Sequence, residues 1–222
     1  RQFLPITLAA LLLTVPAASA AVPGPGTYEG PTEFIDRDVD RMYLKGLLFL
    51  AKHQSTSGAF TSPGRSDHYG QQPGVVGLAV VAFLAHGDDP NRGPFAVPIR
   101  RGLDLILKNQ NQSTGYIGSS MYNHGFATLA LAEAYGQVKD RRLGPALKKA
   151  TELILNAQKR SGKGAWRYSP ESSDADTTVS GANLVALFAA RNAGIGVPQP
   201  SIDKALEFFK LCQSADGGFG YT

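Results

Sequence analysis

Three short polar stretches stand before apolar runs, and their side chains could carry acid–base or metal chemistry. They are Asp67-His68-Tyr69, Tyr122-Asn123-His124 and Asp174-Ala175-Asp176-Thr177-Thr178. Paired carboxylic acids such as Asp174 and Asp176 can act as a general acid with a supporting group. His68 and His124 are candidate acid–base partners, but no positioned third ligand accompanies them, so we predict no metal site. The alternative for the aspartates is helix capping, because Asp accepts hydrogen bonds from the first backbone N–H groups of a helix.

Aromatic residues lie in and around the same stretches and are candidates for lining an apolar cavity or its rim. Together with His68, the candidate ligand-binding residues are Tyr69, Tyr122, Phe126, Trp166 and Tyr168. The expected partner is an apolar small molecule or a peptide.

These residues lie within an internal repeat of about fifty residues, which alone indicates a repeat architecture. Four segments align, at residues 45–60, 101–117, 149–166 and 204–219. Each contains a glutamine followed by a glycine; the glutamines are Gln54, Gln110, Gln158 and Gln213, and the glycines are Gly58, Gly115, Gly164 and Gly217. Successive glutamines are 56, 48 and 55 positions apart. We expect these turns to be structural, because a glutamine side chain can bind free backbone groups at helix ends.

Each repeat predicts two helices of different character. The part before the glutamine has apolar residues on one side only, as in Ile202, Ala205, Phe209 and Cys212. The part after the glycine is apolar on nearly all sides, which is typical of a helix buried all round or lining an apolar cavity. Gly87, Gly136 and Gly194 are predicted helix stops. Outer and inner helices in alternation predict an all-α fold that closes into a ring, with an open α-solenoid as the alternative.

The repeat resembles the QW repeat of squalene and oxidosqualene cyclases and that of protein prenyltransferase β subunits. The residues that fit it in the first segment are Lys45, Gly46, Phe49, Leu50, Gln54, Gly58 and Phe60. Residues 212–221 look more like the prenyltransferase version. The resemblance implies an α/α toroid of six helix pairs, of which residues 36–222 would supply about three and a half, so we expect a fragment.

The same resemblance suggests roles for the acidic stretch. Class II cyclases protonate an alkene with the middle acid of a D-x-D-D-T motif, and Asp174 and Asp176 match its first two acids. Thr177 stands where the third acid would be. Asp176 would then be the proton donor, with Asp174 and His124 as supporting groups. Prenyltransferases hold zinc, but Cys212 is not at the position of their cysteine ligand, so no zinc ligand is transferred.

The amino-terminal residues predict export. An apolar run ending in Ala18-Ser19-Ala20 is typical of a secretory signal peptide, here residues 1–20. A transmembrane anchor is the alternative, but the run contains Pro5 and Pro16 and is shorter than the roughly 20 residues that span a bilayer. We expect signal cleavage, a flexible Pro/Gly-rich lead-in over residues 21–35 and no stable membrane anchor afterwards.

Composition excludes several classes of protein. The chain of 222 residues has 22 Lys and Arg against 18 Asp and Glu and is 43% apolar, which is typical of a soluble globular chain. A net charge of +4 without a basic cluster gives no reason to expect a nucleic-acid partner. Cys212 is the only cysteine, so an internal disulfide is excluded, and no cofactor is predicted.

Two functions therefore remain open. The first is an exported binding protein whose aromatic-lined toroid holds an apolar, isoprenoid-like ligand or a peptide. The second is a class II terpene cyclase with Asp176 as its acid. Export argues against the reactions of the resembled families, which take place at cytoplasmic membrane faces or in the cytosol. The fold alone does not choose between the two hypotheses.

Overall fold

The computed structural model describes residues 37–61 and 68–222, and in these residues it is all-helical, which confirms the predicted all-α class. The predicted signal peptide, the lead-in and Asp67 lie outside the described residues. The helices are α1 Arg37–His53, α2 Pro73–Ala85, α3 Ala96–Lys108, α4 Met121–Ala134, α5 Leu143–Arg160, α6 Thr177–Asn192 and α7 Gln199–Cys212. A short 3-10 helix at Tyr69–Gln71 precedes α2.

The helices form a central row and a flanking set. In the central row, α4 packs between α2 and α6. The flanking helices α1, α3, α5 and α7 pack on this row, with α3 contacting both α2 and α4 and α5 contacting both α4 and α6. The central helices are those that the sequence makes apolar all round, and the flanking helices are amphipathic, so burial follows the predicted pattern.

Small residues allow the central helices to approach closely. A Cβ atom added at Gly77 in α2 would lie 2.7 Å from the carbonyl oxygen of Phe126 in α4. One added at Gly125 in α4 would lie 3.0 Å from the backbone of Ala182 in α6. These glycines therefore set the spacing of the row, because any side chain would force the helices apart.

The glutamine–glycine turns join each flanking helix to the next. The side-chain amide of Gln110 donates to the carbonyl oxygens of Gly115 at 3.2 Å and of Ala146 in α5 at 2.9 Å. Gln54 and Gln158 make the equivalent bonds to α3 and α7. The interactions of these three turns are thus those expected of structural links between repeats.

The predicted stops coincide with the ends of the central helices. Gly87, Gly136 and Gly194 all have positive φ angles, of 92°, 90° and 85°. Glycine adopts this conformation without the steric penalty that a Cβ atom brings, so these positions end α2, α4 and α6 at low cost.

Candidate functional site

Asp176 is the N-cap residue of α6 and is completely buried. Its Oδ1 atom accepts hydrogen bonds from the backbone N–H of Val179 at 2.8 Å and from the hydroxyl of Thr178 at 2.7 Å. Its Oδ2 atom is also buried and has no hydrogen-bond partner in residues 37–61 and 68–222. A buried carboxylate oxygen without a partner is costly, so this atom is the most unusual polar group of the site.

A chain of hydroxyl groups leads from Asp176 to the surface of the central row. The Tyr122 hydroxyl in α4 donates to the Thr178 hydroxyl, which in turn donates to Asp176. The ring of Tyr122 lies 6.3 Å from that of Phe126 and 5.9 Å from that of Tyr168. The structure thus brings together four residues singled out from the sequence, Tyr122, Phe126, Tyr168 and Asp176.

Tyr221 and Arg167 also belong to this group, and sequence reasoning did not single them out. The hydroxyls of Tyr168 and Tyr221 are 2.7 Å apart, and the Arg167 guanidinium lies 5.7 Å from both ring centres. The hydrogen bond with Tyr168, together with burial and the charge of Asp176, raises the pKa of Tyr221 to about 12. Tyr221 therefore keeps its proton at neutral pH. One available signal was its position, two residues after Phe219, just as Tyr168 follows Trp166.

Asp174 lies apart from Asp176. Its carboxylate is exposed and pairs with Arg167, with 3.0 Å between Oδ2 and Nη1. Oδ1 of Asp176 binds Val179 and Thr178, and Oδ2 has no hydrogen-bond partner among the described residues. The carboxyl groups of Asp174 and Asp176 therefore share no hydrogen bond. The structure gives Asp174 the surroundings of a surface ion pair.

His124 is fully buried, and both of its ring nitrogens are occupied. Nδ1 accepts from the backbone N–H of Ile117 at 3.1 Å, so the proton is on Nε2, which donates to the carbonyl oxygen of Ala150 at 2.9 Å. Burial lowers the pKa of His124 to about 4, against the smaller raising effect of the bond to Ala150. Ser180 in α6 accepts from the backbone N–H of Trp166 in the same way. This equivalence favours a structural role for His124.

Of the remaining sequence candidates, Trp166 contacts Asp176 only through its backbone, because its carbonyl oxygen accepts from the Asp176 N–H at 3.0 Å. Trp166 is only 2% exposed, and its ring N–H donates to the carbonyl oxygen of Ile154 at 2.8 Å, so it lies in the interior. Tyr69 is 67% exposed, and His68 is exposed beside it at the start of α2. These two side chains lie on the surface, where they are free to meet a partner.

The central row has a face that no other helix covers among residues 37–61 and 68–222. Spacings of three, four and seven residues place its members along one side of α2, α4 and α6. We call this the open face; it contains Val75, Leu78, Tyr122, Phe126, Thr178 and Val185. Val75, Leu78 and Val185 are between 40% and 49% exposed. The open face is therefore apolar over most of its length and ends at the hydroxyl groups next to Asp176.

Two grooves of about 600 Å³ lie elsewhere, along the flanking helices. One borders the turn of Gln158 and α7, and the other borders the turn of Gln110 and α5. They occupy equivalent positions in successive repeats and include Lys204 and Lys149, whose backbones pack on the turn glycines. We interpret these grooves as seams between repeats.

No protein-family model matches the sequence, and no curated protein matches it significantly. Among the described residues, no group of three or more His, Cys, Asp and Glu side chains is placed to hold a metal ion. No helix in the described residues has the length and apolar character needed to cross a bilayer.

Proposed function

We propose that the protein is an exported repeat protein of the α/α-toroid type that binds an apolar, isoprenoid-like ligand on its open face. The observation that carries this proposal is the row of exposed apolar side chains on α2 and α6, with the rings of Tyr122 and Phe126 between them. A contiguous apolar surface bounded by polar groups is typical of a ligand or interaction site. The alternation of central and flanking helices supports a curved, two-layered array in which this face lines the cavity.

The polar end of the open face would orient the ligand. The hydroxyls of Tyr122 and Thr178 are hydrogen-bonded to each other on this face. An isoprenoid alcohol could place its chain along Val185 and Leu78 and its hydroxyl at this end. A peptide ligand would instead use the exposed Tyr69 and His68 at the rim.

The test is binding of a dansyl-labelled farnesyl probe to matched variants. Val185→Lys places a charge on the open face, where Val185 is 49% exposed, and Leu211→Lys places one on a more exposed apolar residue of α7, where Leu211 is 82% exposed. We expect Val185→Lys to weaken binding about tenfold or more, since one buried apolar side chain is worth about 1.5–3 kcal/mol. Leu211→Lys should bind like the wild type. Equal losses in both variants, or no binding by the wild type, would show that the open face is not the site.

A second candidate is a terpene cyclase that uses Asp176, and the buried, unpartnered Oδ2 atom favours it. A protonated carboxyl group there would transfer its proton to a terminal alkene, and a later carbocation would return a proton to solvent, so the reaction is an isomerisation. The hydroxyl chain through Thr178 could restore the proton to Asp176 from the side of Tyr122.

The cyclase candidate predicts turnover of squalene that depends on Asp176. Asp176→Asn is the matched variant, because asparagine caps helices as well as aspartate does and cannot donate this proton. We expect its product formation to fall about 100-fold or more if Asp176 is the acid. Gas chromatography of the reaction extracts measures this. Absence of product, or the same rate in both proteins, would leave the binding function as the only proposal.

A further inference from the structure

The interfaces between successive flanking helices are built from the same contacts three times. In each, a glutamine side-chain amide donates to a carbonyl oxygen near the start of the next flanking helix. The pairs are Gln54 with Pro98 at 3.0 Å, Gln110 with Ala146 at 2.9 Å and Gln158 with Ser201 at 2.7 Å. The acceptor stands three residues before the basic residue of the repeat in every case.

The basic residue itself lies against the turn glycine. A Cβ atom added at Gly58 would come within 2.2 Å of the carbonyl oxygen of Arg101, and one at Gly115 within 2.6 Å of that of Lys149. At Gly164 the nearest atom is Cβ of Lys204, at 3.2 Å. The next flanking helix therefore sits directly on the turn at each of these interfaces.

The fourth turn has the same backbone but none of these contacts. Gly217 has a φ angle of 87°, and a Cβ atom added there would have nothing within 4 Å. The Gln213 side chain is exposed and donates to no carbonyl group in the described part of the chain. Phe219 is 59% exposed, whereas Ile117 and Trp166 at the equivalent positions are buried.

The central row also has an unfilled packing position at its α6 end. Gly77, Gly125 and Gly181 are each the fifth residue after the N-cap residue of their helix. The first two lie against the backbone of the following central helix, but a Cβ atom added at Gly181 would have nothing within 4 Å. The face of α6 around Gly181 thus has the features of a helix-packing surface that no helix of the described residues covers.

We propose that Gly181, Gln213, Gly217 and Phe219 form a docking surface for one further helix pair with the repeat pattern of this chain. The central helix of that pair would cross α6 at Gly181 and cover Phe219. Its flanking helix would place a basic residue on Gly217 and offer a backbone carbonyl to Gln213. Continuity with three established interfaces supports this occupant, because each open position has a filled counterpart whose partner atoms are known.

A second copy of the chain fits this surface less well. Its α1 has the basic and small residues of the repeat, Lys45 and Gly46, and Gly46 is also open. At the internal interfaces, however, the flanking helix that covers a turn also packs on a central helix that precedes it in the chain. In the described part of the chain no central helix precedes α1, so an α1 docked on the turn of Gln213 would bring none of the described central helices to Gly181.

The test is to append a copy of residues 121–160, which contain α4 and α5, directly after Thr222. The join preserves the loop of the donor repeat, because Gly220 and Thr222 correspond to Gly118 and Ser120, and threonine is also a good N-cap. We expect the thermal midpoint to rise by roughly 5 °C or more, since neighbouring repeats stabilise each other. Gly181→Leu should abolish that rise in the extended protein.

Two controls make the result decisive. Gly181→Leu in the chain of 222 residues should shift the midpoint by less than about 2 °C, because its side chain would enter open space. Gln213→Ala in the extended protein should lose part of the rise in thermal midpoint and serves as a second variant.

An unchanged midpoint on extension, or a rise that Gly181→Leu does not affect, would overturn the proposal. A chain that sediments as a dimer and becomes a monomer with Gly181→Leu would also overturn it, in favour of a second copy. Ligand binding on the open face does not enter these measurements.

Discussion

Gly58→Ala is expected to destabilise the protein much more than Gly217→Ala, even though both glycines have nearly the same backbone conformation. Their φ angles are 91° and 87°. An alanine in this left-handed region costs about 1–2 kcal/mol at either position. At Gly58 the new Cβ atom would also lie 2.2 Å from the carbonyl oxygen of Arg101, whereas at Gly217 it would meet nothing within 4 Å.

The clash at Gly58 cannot be relieved by rotating a side chain, because the contacted atom belongs to the backbone of α3. The helix must move away from the turn, and that movement also stretches the bond from Gln54 to Pro98. Overpacking of this kind typically adds about 1–3 kcal/mol. Urea unfolding of both variants measures the difference. Equal losses at the two positions would mean that α3 does not rest on this turn as the structure shows.

Much of the fold could be predicted because the repeat places one kind of signal at regular intervals. Each glutamine–glycine turn follows an amphipathic helix, and each apolar run forms a central helix. The runs start at Pro73, His124 and Thr177 in the sequence; α2 and α6 begin at Pro73 and Thr177, whereas α4 begins three residues earlier, at Met121. In α7, Ile202, Ala205 and Cys212 are buried as their spacing predicts. Phe208 is buried as well, and Phe209 is partly buried against the core.

The candidate site could be predicted only in part, because its geometry depends on contacts between repeats. Tyr122 reaches Thr178 across 56 residues, and only packing of α4 against α6 makes that bond. The sequence also could not show that the Trp166 ring points into the interior, because its hydrogen-bond partner is a carbonyl group of α5. Sequence patterns show which residues stand at the start of a helix, but not which of them face solvent and which face the interior.

His124 faces the interior, and its burial predicts that the stability of the protein depends on pH. Its pKa is about 4 in the folded protein, and the ordinary value is 6.5. Between these pH values the unfolded chain binds a proton that the folded chain does not. The contribution of neutral His124 to the free energy of unfolding should therefore be fully present above pH 6.5. The free energy of unfolding should fall by up to about 3 kcal/mol as the pH approaches 4. The ring in contact with His124 belongs to Tyr116, whose pKa of about 12 keeps it neutral throughout.

The matched variant is His124→Asn, whose side-chain oxygen can still accept from the N–H of Ile117 but does not titrate. Urea unfolding at intervals between pH 7 and pH 4 should give a steeper fall for the wild type than for this variant. Carboxylates titrate near the lower limit in both proteins, so the difference between the two curves isolates the histidine. Parallel curves would mean that the imidazole is accessible to protons in the folded state, and its role as an acid–base partner of Asp176 would regain support. A steeper wild-type curve would instead identify His124 as a neutral crosslink between the turn at Ile117 and α5, because a proton on Nδ1 would break the bond to that turn.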